Sequence, residues 1–431
     1  MSVHEILSVT ARRVWDSRGH PTVEAEVRLR GGARGRGIAP AGASTGRAEA
    51  VDLRDRGKAL QGLDVQSALA NVRGEIARAL KGMDVRDQRA LDSRLCDLDG
   101  TDDKRRLGAN ATVAVSMAAA HAAAAVAGMP LWRWLAGGAP VALPLPEIQI
   151  YGGGAHAGRR IDIQDLMVVA IGARSFDQAL EWTAEIYAAA GQLLADAGRR
   201  RGVADEGGYW PEFDSNEQAL EYLVRAIETA GFRPGEDVAI ALDIAASELG
   251  RGGRYRLALE REELDGAALA ERIEGWTRRF PIVSVEDPLG EDDEAGLAAL
   301  TARLGARVQV VGDDFLVSDA ARVRAAAAAG ACNAVLLKPN QAGTLSEIRD
   351  TLEAAREAGW GAIVSARSGE TEDVTIVHLA VGWSVPQLKV GSFARSERMA
   401  KWNEALRIEE SLGEKAVFAG ARALARGRAH G

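Results

Sequence analysis

Short apolar runs, each closing on a charged or polar residue, recur along the second half of the chain. The runs are rich in Val, Ile and Leu and do not alternate strictly with polar residues, which is typical of strands buried on both faces in a parallel sheet. The residues that close the runs are Asp243, Glu286, Asp313, Lys338, the pair Arg367 and Ser368, and Lys389. Successive closing positions are 43, 27, 25, 29 and 22 residues apart, room for one strand, one helix and two loops. The spacing predicts a repeated βα unit.

Repeated βα units close into a (β/α) barrel, here expected over residues 137–431, and in that architecture the carboxyl ends of the strands meet at one mouth. A single polar residue at a strand end has a simple explanation, because strand ends reach solvent. Six such positions in register favour a functional site instead. Three carboxylates, two lysines and an Arg-Ser pair predict a mouth that binds a metal ion and a polyanion.

The first part of the chain has a different pattern. Residues 6–14 and 22–29 flank a turn, and the second segment alternates polar with apolar residues, which predicts a β-hairpin. Four segments then show helical periodicity: 47–60, 64–81, 87–97 and 106–128. Asp64 and Asp87 are the expected N-terminal caps of two of them. A hairpin followed by helices, without βα alternation, predicts an α+β capping domain over residues 1–136.

A loop of small residues connects the hairpin to these helices. Residues 38–46 are mostly small, and after Ile38 the loop has no large apolar side chain to anchor it, a composition typical of a mobile lid. Ser44 in this loop could offer an oxygen ligand to a hard cation. An ordinary flexible connection is the alternative when the loop is considered alone.

Further candidates lie at the start of the expected barrel. Residues 152–158 form a glycine-rich loop that includes His156, although a glycine run outside a strand–GxGxxG–helix context is a weak phosphate-binding signal. Residues 161–168 are expected to form a strand that carries Gln164 and Asp165. We expect both side chains near the barrel mouth.

Composition limits the class of protein. The chain has 431 residues and a net charge of −8 with both signs interspersed, which suits solubility and gives no basis for nucleic-acid binding. Only two cysteines occur, Cys96 and Cys332, so we expect a reducing compartment. The N-terminus lacks a signal-peptide pattern, and the Ala-rich tract 118–127 is expected to be a buried packing helix, because alanine inserts weakly into membranes. We therefore expect a cytoplasmic protein without a membrane partner.

The strand-end carboxylates suit a particular metal. Asp243, Glu286 and Asp313 offer hard oxygen donors, which fit Mg²⁺, and the absence of His and Cys from the set disfavours zinc and copper. Lys338 is the obvious base beside them. Bound divalent cations would disfavour its ammonium form, so we expect the pKa of Lys338 to fall toward that of a working base.

The remaining mouth residues suit an anionic substrate. Lys389 and the pair Arg367 and Ser368 would bind its charges, and an arginine fork matches phosphate. A metal site, a base and a phosphate-binding group at one mouth favour removal of a proton next to a carboxylate. The resulting dianionic enolate needs concentrated positive charge. A leaving group then needs an acid, and Glu206 in a tight turn, with His156 nearby in the pattern, is the expected one.

Many short motifs together resemble one family over nearly the whole chain, the enolases. The matching segments are Asp16-Ser-Arg-Gly19, Gly42-Ala-Ser-Thr-Gly46, Leu98-Asp-Gly-Thr101, Leu107-Gly-Ala-Asn110, Asp205-Glu-Gly-Gly208, Ser215-Asn-Glu217, Glu286-Asp-Pro288, Gly312-Asp-Asp314, Asn340-Gln-Ala-Gly-Thr344, Ser368-Gly-Glu-Thr-Glu-Asp373 and Arg395-Ser-Glu-Arg398. The resemblance implies an α/β fold, a modified (β/α)₈ TIM barrel with a ββαα start and an N-terminal α+β cap. It also implies a glycolytic, Mg²⁺-dependent lyase that is typically dimeric and converts 2-phosphoglycerate to phosphoenolpyruvate.

The resemblance also implies a role for each matching residue. Lys338 would be the base and Glu206 the acid. The other implied roles are Asp243, Glu286 and Asp313 on a first Mg²⁺, Ser44 on a second that arrives with substrate, Arg367 and Ser368 on the phosphate, Lys389 on the carboxylate, and His156, Gln164 and Asp165 lining the pocket.

The sequence departs from the family pattern on the side of the leaving group. Ala366 stands where a histidine is usual, and Asp165 where a glutamate is usual. Gly152 and Arg159 replace asparagines, and Pro339 replaces an aliphatic residue after the base. Because the metal, base and phosphate residues are intact, we expect enolate formation to survive and dehydration to be impaired or redirected. Arg159 is either a solvated loop residue or a group that accepts a larger anion.

Two alternatives to an enolase therefore stay open at this point. One is an enolase-like carboxyphosphonoenolpyruvate synthase of phosphonate natural-product biosynthesis, which would apply the same enolate chemistry to a phosphonylated three-carbon acid. The other is a catalytically silent paralogue with a binding or structural role. Intact metal ligands and Lys338 argue against the second, since nothing structural requires them at one mouth.

Overall fold

The structure is a computed structural model and describes residues 2–424. Its first element is a three-stranded antiparallel sheet in the order β1-β2-β3, with β1 Ile6–Trp15, β2 Pro21–Leu29 and β3 Arg34–Ile38. The first two strands form the predicted hairpin, with Val9 opposite Val27 and Ala11 opposite Ala25. The third strand was not predicted, because its sequence Arg-Gly-Arg-Gly-Ile has little β propensity.

Helices follow the sheet. They are α1 Gln66–Asn71, a π-helical turn Val72–Ile76, α2 Ala77–Leu80, α3 Gln88–Asp99, α4 Ala109–Val126 and α5 Leu131–Ala136. Asp87 caps α3 by accepting a hydrogen bond from the backbone N–H of Ala90, as predicted. The predicted cap at Asp64 is wrong, since this carboxylate pairs with Arg13.

The predicted helix over residues 47–60 is also wrong. Only a 3-10 turn, Ala59–Gly62, occurs there, and Leu60 and Gln61 in it have positive φ. The backbone N–H of Ala50 donates to Gln341 and that of Val51 to Asp103. These long-range bonds satisfy the backbone donors that a helix would have used, so helical periodicity was not sufficient.

Helix α4 is the core of this part of the fold. It is long and apolar enough to cross a membrane by length and composition, but 83% of it is buried inside the fold. It packs against β2 and β3, and Gly35 permits the close approach, since a Cβ there would lie 2.1 Å from the Ala118 carbonyl oxygen. The predicted packing helix is confirmed.

Eight strands form a closed barrel. They are β4 Leu145–Gly152, β5 Asp165–Val169, β6 Ala239–Asp243, β10 Ile282–Glu286, β11 Gln309–Gly312, β12 Ala334–Leu337, β13 Gly361–Ser365 and β14 Gln387–Ser392. All neighbours are parallel except β5, which runs antiparallel to both β4 and β6. The predicted barrel with an irregular start is confirmed. The strand predicted over residues 161–168 begins only at Asp165, so Gln164 lies just before it.

The long first interval of the predicted ladder holds extra structure. A small antiparallel sheet occupies it, with β7 Gly250–Arg251, β8 Arg254–Leu257 and β9 Glu262–Asp265. The helices of this half are α6 Phe176–Asp196, α7 Asn216–Thr229, α8 Ala246–Leu249, α9 Gly266–Arg279, α10 Glu294–Leu304, α11 Ala320–Ala329, α12 Pro339–Ala342, α13 Leu345–Glu357, α14 Thr375–Gly382 and α15 Ser396–Leu412.

Candidate active site

The carboxyl ends of the barrel strands bring the predicted charges together. Asp243 at the end of β6 lies in register with Asp165 on one side and with Glu286 on the other. One cavity is lined by predicted residues from both halves of the chain: Ser44, Gln164, Asp165, Glu206, Asp243, Lys338, Arg367, Ser368 and Lys389. The open volume in it is about 20 Å³, little more than one water molecule needs.

Lys389 joins three of the carboxylates. Its Nζ lies 2.9 Å from Asp243 Oδ2, 2.8 Å from Glu286 Oε2 and 3.1 Å from Asp165 Oδ2. Burial alone would lower the pKa of this lysine, but attraction to Asp243 and Glu286 outweighs burial and raises the pKa well above its usual range. The ammonium form therefore holds the acidic cluster together.

Lys338 faces the other side of the cluster. Its Nζ donates to Asp313 Oδ2, and its backbone N–H donates to Ser318 Oγ at 2.9 Å. Burial acts to lower the pKa of Lys338, but attraction to Asp313 raises it above the usual value. The predicted fall in this pKa depends on a bound cation drawing Asp313 away, and it stays a prediction.

Pro339 fits its position after the base. Lys338 has an extended backbone, with φ −119° and ψ 108°, and Pro339 is the first residue of α12. A residue before proline favours extended backbone, and proline is well tolerated at the first position of a helix. This departure from the family pattern therefore needs no distortion of Lys338.

The carboxylates fit a hard cation. Asp243, Glu286 and Asp313 are all buried, and Glu286 Oε1 has no hydrogen-bond partner among the described residues. Burial and repulsion from Asp243 raise the pKa of Glu286 well above its usual value, so the cluster lacks positive charge even beside Lys389. A buried oxygen without a partner and an all-oxygen donor set suit Mg²⁺.

A second acidic group overlaps this one. Carboxylate oxygens of Asp287, Asp313 and Asp314 lie within 4.8 Å of one another. Both oxygens of Asp287, however, accept backbone N–H groups, from Asp313 at 2.9 Å and from Asp314 at 2.8 Å. Asp287 therefore fixes the loop that carries Asp313. Sequence reasoning gave it no role, although its motif, Glu286-Asp-Pro288, was noted.

Arg367 is held by residues of both halves of the chain. Nη1 donates to Glu49 Oε2 and to Asn340 Oδ1, each at 3.0 Å. Nη2 donates to the Ser44 carbonyl at 2.9 Å and to Glu49 Oε1 at 3.2 Å. Burial lowers and attraction to Glu49 raises the pKa of Arg367, with a net rise. Neither Glu49 nor Asn340 was predicted as a site residue.

Ser368 and Arg18 complete the anion side. Arg18 Nη1 donates to Ser368 Oγ at 3.3 Å, and Arg18 Nη2 donates to the carbonyl of Ala41 at 3.0 Å. Arg18 lies in the Asp16-Ser-Arg-Gly19 motif, to which the sequence alone assigns no role. Its guanidinium joins the hairpin turn, the lid and the barrel mouth.

The opposite side of the cavity holds the predicted acid. Glu206 is buried in a turn where Gly207 has φ +96° and a Cβ would lie 2.6 Å from the Ala394 carbonyl oxygen. Gln149 Nε2 donates to Asp165 Oδ1, and Lys389 lies at the other oxygen of Asp165. Both oxygens of Asp165 therefore have partners on this side of the cavity.

Gln164 and His156 also belong to this side. Gln164 Nε2 donates to Asp243 Oδ2 at 3.0 Å, and Gln164 Oε1 is buried without a partner among the described residues. His156 lies in a 3-10 turn, Gly154–Ala157, but its side chain lies outside the part of the chain that the structure describes.

The departures from the family pattern separate into two kinds. Ala366 lines the cavity, so the missing imidazole belongs to the site itself. Arg159 instead pairs with Glu248 at 2.7 Å, with 58% of the Arg159 side chain exposed. Gly152 is packed so closely that a Cβ would lie 2.7 Å from the Ala204 Cβ.

Similar proteins point to one family. A family model described as "Enolase, N-terminal domain" matches residues 6–135, and one described as "Enolase, C-terminal TIM barrel domain" matches residues 140–426. Enolase 1 of Desulfitobacterium hafniense is 48% identical over 421 residues, which cover 97% of this chain and 96% of that protein. The enolase of Rubrobacter xylanophilus is 49% identical over 417 residues, which cover 96% of this chain and 97% of that protein.

Proposed function

Because the chain belongs to the enolase family and is a lyase of the phosphopyruvate hydratase type, we propose a role in that reaction for each residue at its barrel mouth. Lys338 removes the α-proton of 2-phosphoglycerate, and Glu206 protonates the departing hydroxyl to give phosphoenolpyruvate. The observation that carries this proposal is the convergence of two buried lysines and three buried carboxylates at one mouth, with Glu206 across the same cavity.

The substrate's two anionic ends would bind different residues. Lys389 takes the carboxylate, since its buried ammonium group lines the same cavity as the proposed base and acid. Arg367 and Ser368 take the phosphate, as both lie beneath the lid and line the cavity. His156 and Gln164 would line the pocket around the hydroxyl that leaves. Fixing both ends of the substrate places its α-carbon between base and acid.

The family implies dependence on Mg²⁺. We propose that Asp243, Glu286 and Asp313 hold a first ion, and that Ser44 contributes to a second that arrives with substrate. Bound ions supply the concentrated positive charge that a dianionic enolate requires. The residues of the chain then need only position the substrate and move its protons.

The altered leaving-group side does not favour another reaction. Neither a carboxyphosphonoenolpyruvate synthase nor a silent paralogue gains support, because the similar proteins are enolases over nearly their full length. Glu206 keeps the role of acid without help from an imidazole at position 366. Asp165 holds the ammonium group of Lys389 in place instead of donating a proton. Arg159 is paired at the surface and binds no part of the substrate.

We also propose how the chain is organised. Residues 1–136 form a cap whose lid is loop 38–46, and residues 137–431 form the catalytic barrel. The protein is a cytoplasmic homodimer that acts in glycolysis, without a nucleic-acid or membrane partner. Helix α4 is buried inside the fold, which supports the absence of a membrane partner. Cys96 and Cys332 are free thiols, which supports a reducing compartment such as the cytoplasm.

Proton exchange separates the two catalytic roles. In D₂O with Mg²⁺ and 2-phosphoglycerate, Glu206→Gln is expected to exchange the α-proton yet form phosphoenolpyruvate about 10²–10⁴ times more slowly than the unaltered enzyme. Lys338→Ala is expected to lose both exchange and product. ¹H NMR follows both events in one sample. Product formation by Lys338→Ala at the unaltered rate, or loss of exchange in Glu206→Gln, would overturn the assignment.

A further inference from the structure

The guanidinium of Arg367 has few donors left for a substrate. Each of its two terminal nitrogens carries two N–H groups, and all four donate to the protein: two to Glu49, one to Asn340 and one to the carbonyl of Ser44. Arg367 is buried, with 4% of its surface exposed. A phosphate oxygen can bind here only beside or in place of one of these partners.

The partners occupy different edges of the guanidinium. Glu49 bonds Nη1 through one oxygen and Nη2 through the other, which is the end-on, two-point arrangement of an arginine with a carboxylate. Asn340 takes the remaining hydrogen of Nη1. The edge formed by Nε and the outer hydrogen of Nη2 is the second place where two parallel N–H groups face outward. Nε has no hydrogen-bond partner among the described residues, so only the Ser44 carbonyl covers this edge.

We propose that Glu49 is a positioning residue for phosphate recognition: it fixes the end of the Arg367 guanidinium and thereby presents the Nε–Nη2 edge to the substrate. The lid covers this edge through the Ser44 carbonyl until the phosphate displaces it. This inference rests on the proposed role of Arg367 as the phosphate ligand.

Glu49 is itself held in place. Its Oε1 accepts from the backbone N–H of Gly46 at 3.0 Å and from Gln341 Nε2 at 3.2 Å. Gln341 Nε2 also donates to Asp313 Oδ1 at 2.9 Å. The carboxylate is therefore anchored to the lid's end and to the barrel mouth, and a fixed carboxylate can fix a guanidinium. A mobile surface carboxylate could not.

The lid backbone lies against the Nε–Nη2 edge of Arg367. A Cβ on Gly42 would lie 2.0 Å from Arg367 Nη2, so only glycine allows the lid this close to the arginine. The Ser44 carbonyl accepts from Nη2 at 2.9 Å, so it occupies the donor that a phosphate oxygen would need on this edge. Binding of the phosphate to Arg367 therefore requires the lid to leave the Nε–Nη2 edge, which frees Ser44.

Direct binding of inorganic phosphate tests the role of Glu49. Glu49→Gln keeps the shape of the side chain but turns one acceptor oxygen into an N–H donor that faces the guanidinium. The dissociation constant of phosphate, measured by ³¹P NMR titration of the Mg²⁺-loaded full-length enzyme, is expected to rise about tenfold or more as Arg367 loses its orientation. The KM for 2-phosphoglycerate is expected to rise by a larger factor than kcat falls.

Glu291→Gln is the matched control. Glu291 Oε1 pairs with Nε of Arg47 at 3.0 Å, so it ties the chain directly after the lid to the barrel, but it does not contact Arg367. This variant is expected to bind phosphate within about threefold of the unaltered enzyme, as for an exposed ion pair. Equal weakening in both variants would assign the effect to lid attachment and overturn the inference.

Other outcomes are equally decisive. Tighter phosphate binding by Glu49→Gln would show that Glu49 competes with phosphate, and unchanged binding would show that it does not position Arg367; either result overturns the inference. Arg367→Lys is a separate test of the proposed function. If it binds phosphate as well as the unaltered enzyme does, Arg367 is not the phosphate ligand.

Discussion

Individual strand-end residues could be predicted because their position follows from the repeat. Asp243, Asp313 and Lys338 each close an apolar run, and parallel strands in a barrel must bring such ends to one mouth. Glu49 and Asn340 could not be predicted in the same way. Glu49 lies 318 positions before its partner Arg367, and no periodic pattern links the two.

Lys389 provides a prediction at the scale of one residue. Lys389→Met leaves Asp243, Glu286 and Asp165 buried without their shared cation, and removal of one partner of a buried ion pair typically costs about 3–5 kcal/mol. We expect a loss of that order in the free energy of unfolding when Mg²⁺ is chelated, and a smaller loss when Mg²⁺ is present. Urea unfolding with and without EDTA measures both. Equal losses in the two conditions would contradict a metal site at these carboxylates.

At the scale of elements, periodicity predicted the regular segments but not the irregular ones. Helix α4 and the barrel strands follow from periodicity, whereas β3, the antiparallel direction of β5 and the sheet of β7 to β9 do not. The segment 47–60 has helical spacing but is irregular apart from the start of a 3-10 turn, because its backbone bonds to residues far away in sequence, such as Gln341. A local sequence pattern does not determine the structure where the backbone forms hydrogen bonds with distant residues instead.

The contact between α4 and α14 predicts a pH dependence of stability. His121 on α4 and His378 on α14 have ring centroids 6.0 Å apart, with Glu404 near His378. Burial, and then repulsion from His121, lower the pKa of His378 to about 4. In the unfolded chain the same imidazole is protonated near its ordinary pKa of about 6.5. The contribution of His378 to the free energy of unfolding is therefore fully present above that pH and falls as the pH drops toward 4.

His378→Phe should flatten this dependence. We expect the unaltered protein to lose about 2 kcal/mol of unfolding free energy from this histidine between pH 7.5 and pH 5. The variant should keep that part of its stability, while His20→Gln, which lies away from the contact, should behave as the unaltered protein. Urea unfolding at the two pH values provides the comparison. An identical pH dependence in the unaltered protein and His378→Phe would refute the contribution of His378.

At the scale of the whole molecule, the fold class followed from sequence because the βα repeat and the family motifs agree over nearly the whole chain. The assembly did not, since contacts between chains leave no periodic signal. Strand β1 does expose large apolar side chains, with Leu7 37% and Trp15 50% exposed. These two side chains are the positions on β1 where contact with a second chain can be tested.

The proposed homodimer can be tested at strand β1. Trp15→Glu places a charge where a second chain would pack, so we expect the unaltered protein to sediment as a dimer and the variant to dissociate at micromolar concentration. Analytical ultracentrifugation measures both, and circular dichroism checks that the variant stays folded. A monomeric unaltered protein would contradict the proposed dimer, whereas a variant that stays dimeric would exclude β1 from the interface.

The most direct test of the whole account is the conversion of 2-phosphoglycerate by the purified full-length chain. Phosphoenolpyruvate should appear when Mg²⁺ is present, stop when EDTA is added, and be absent with Lys338→Ala under the same conditions. That result would establish that the mouth built from Asp243, Glu286, Asp313 and Lys338 completes the reaction without an imidazole at position 366. Loss of the α-proton in D₂O without phosphoenolpyruvate, or no reaction at all, would contradict it.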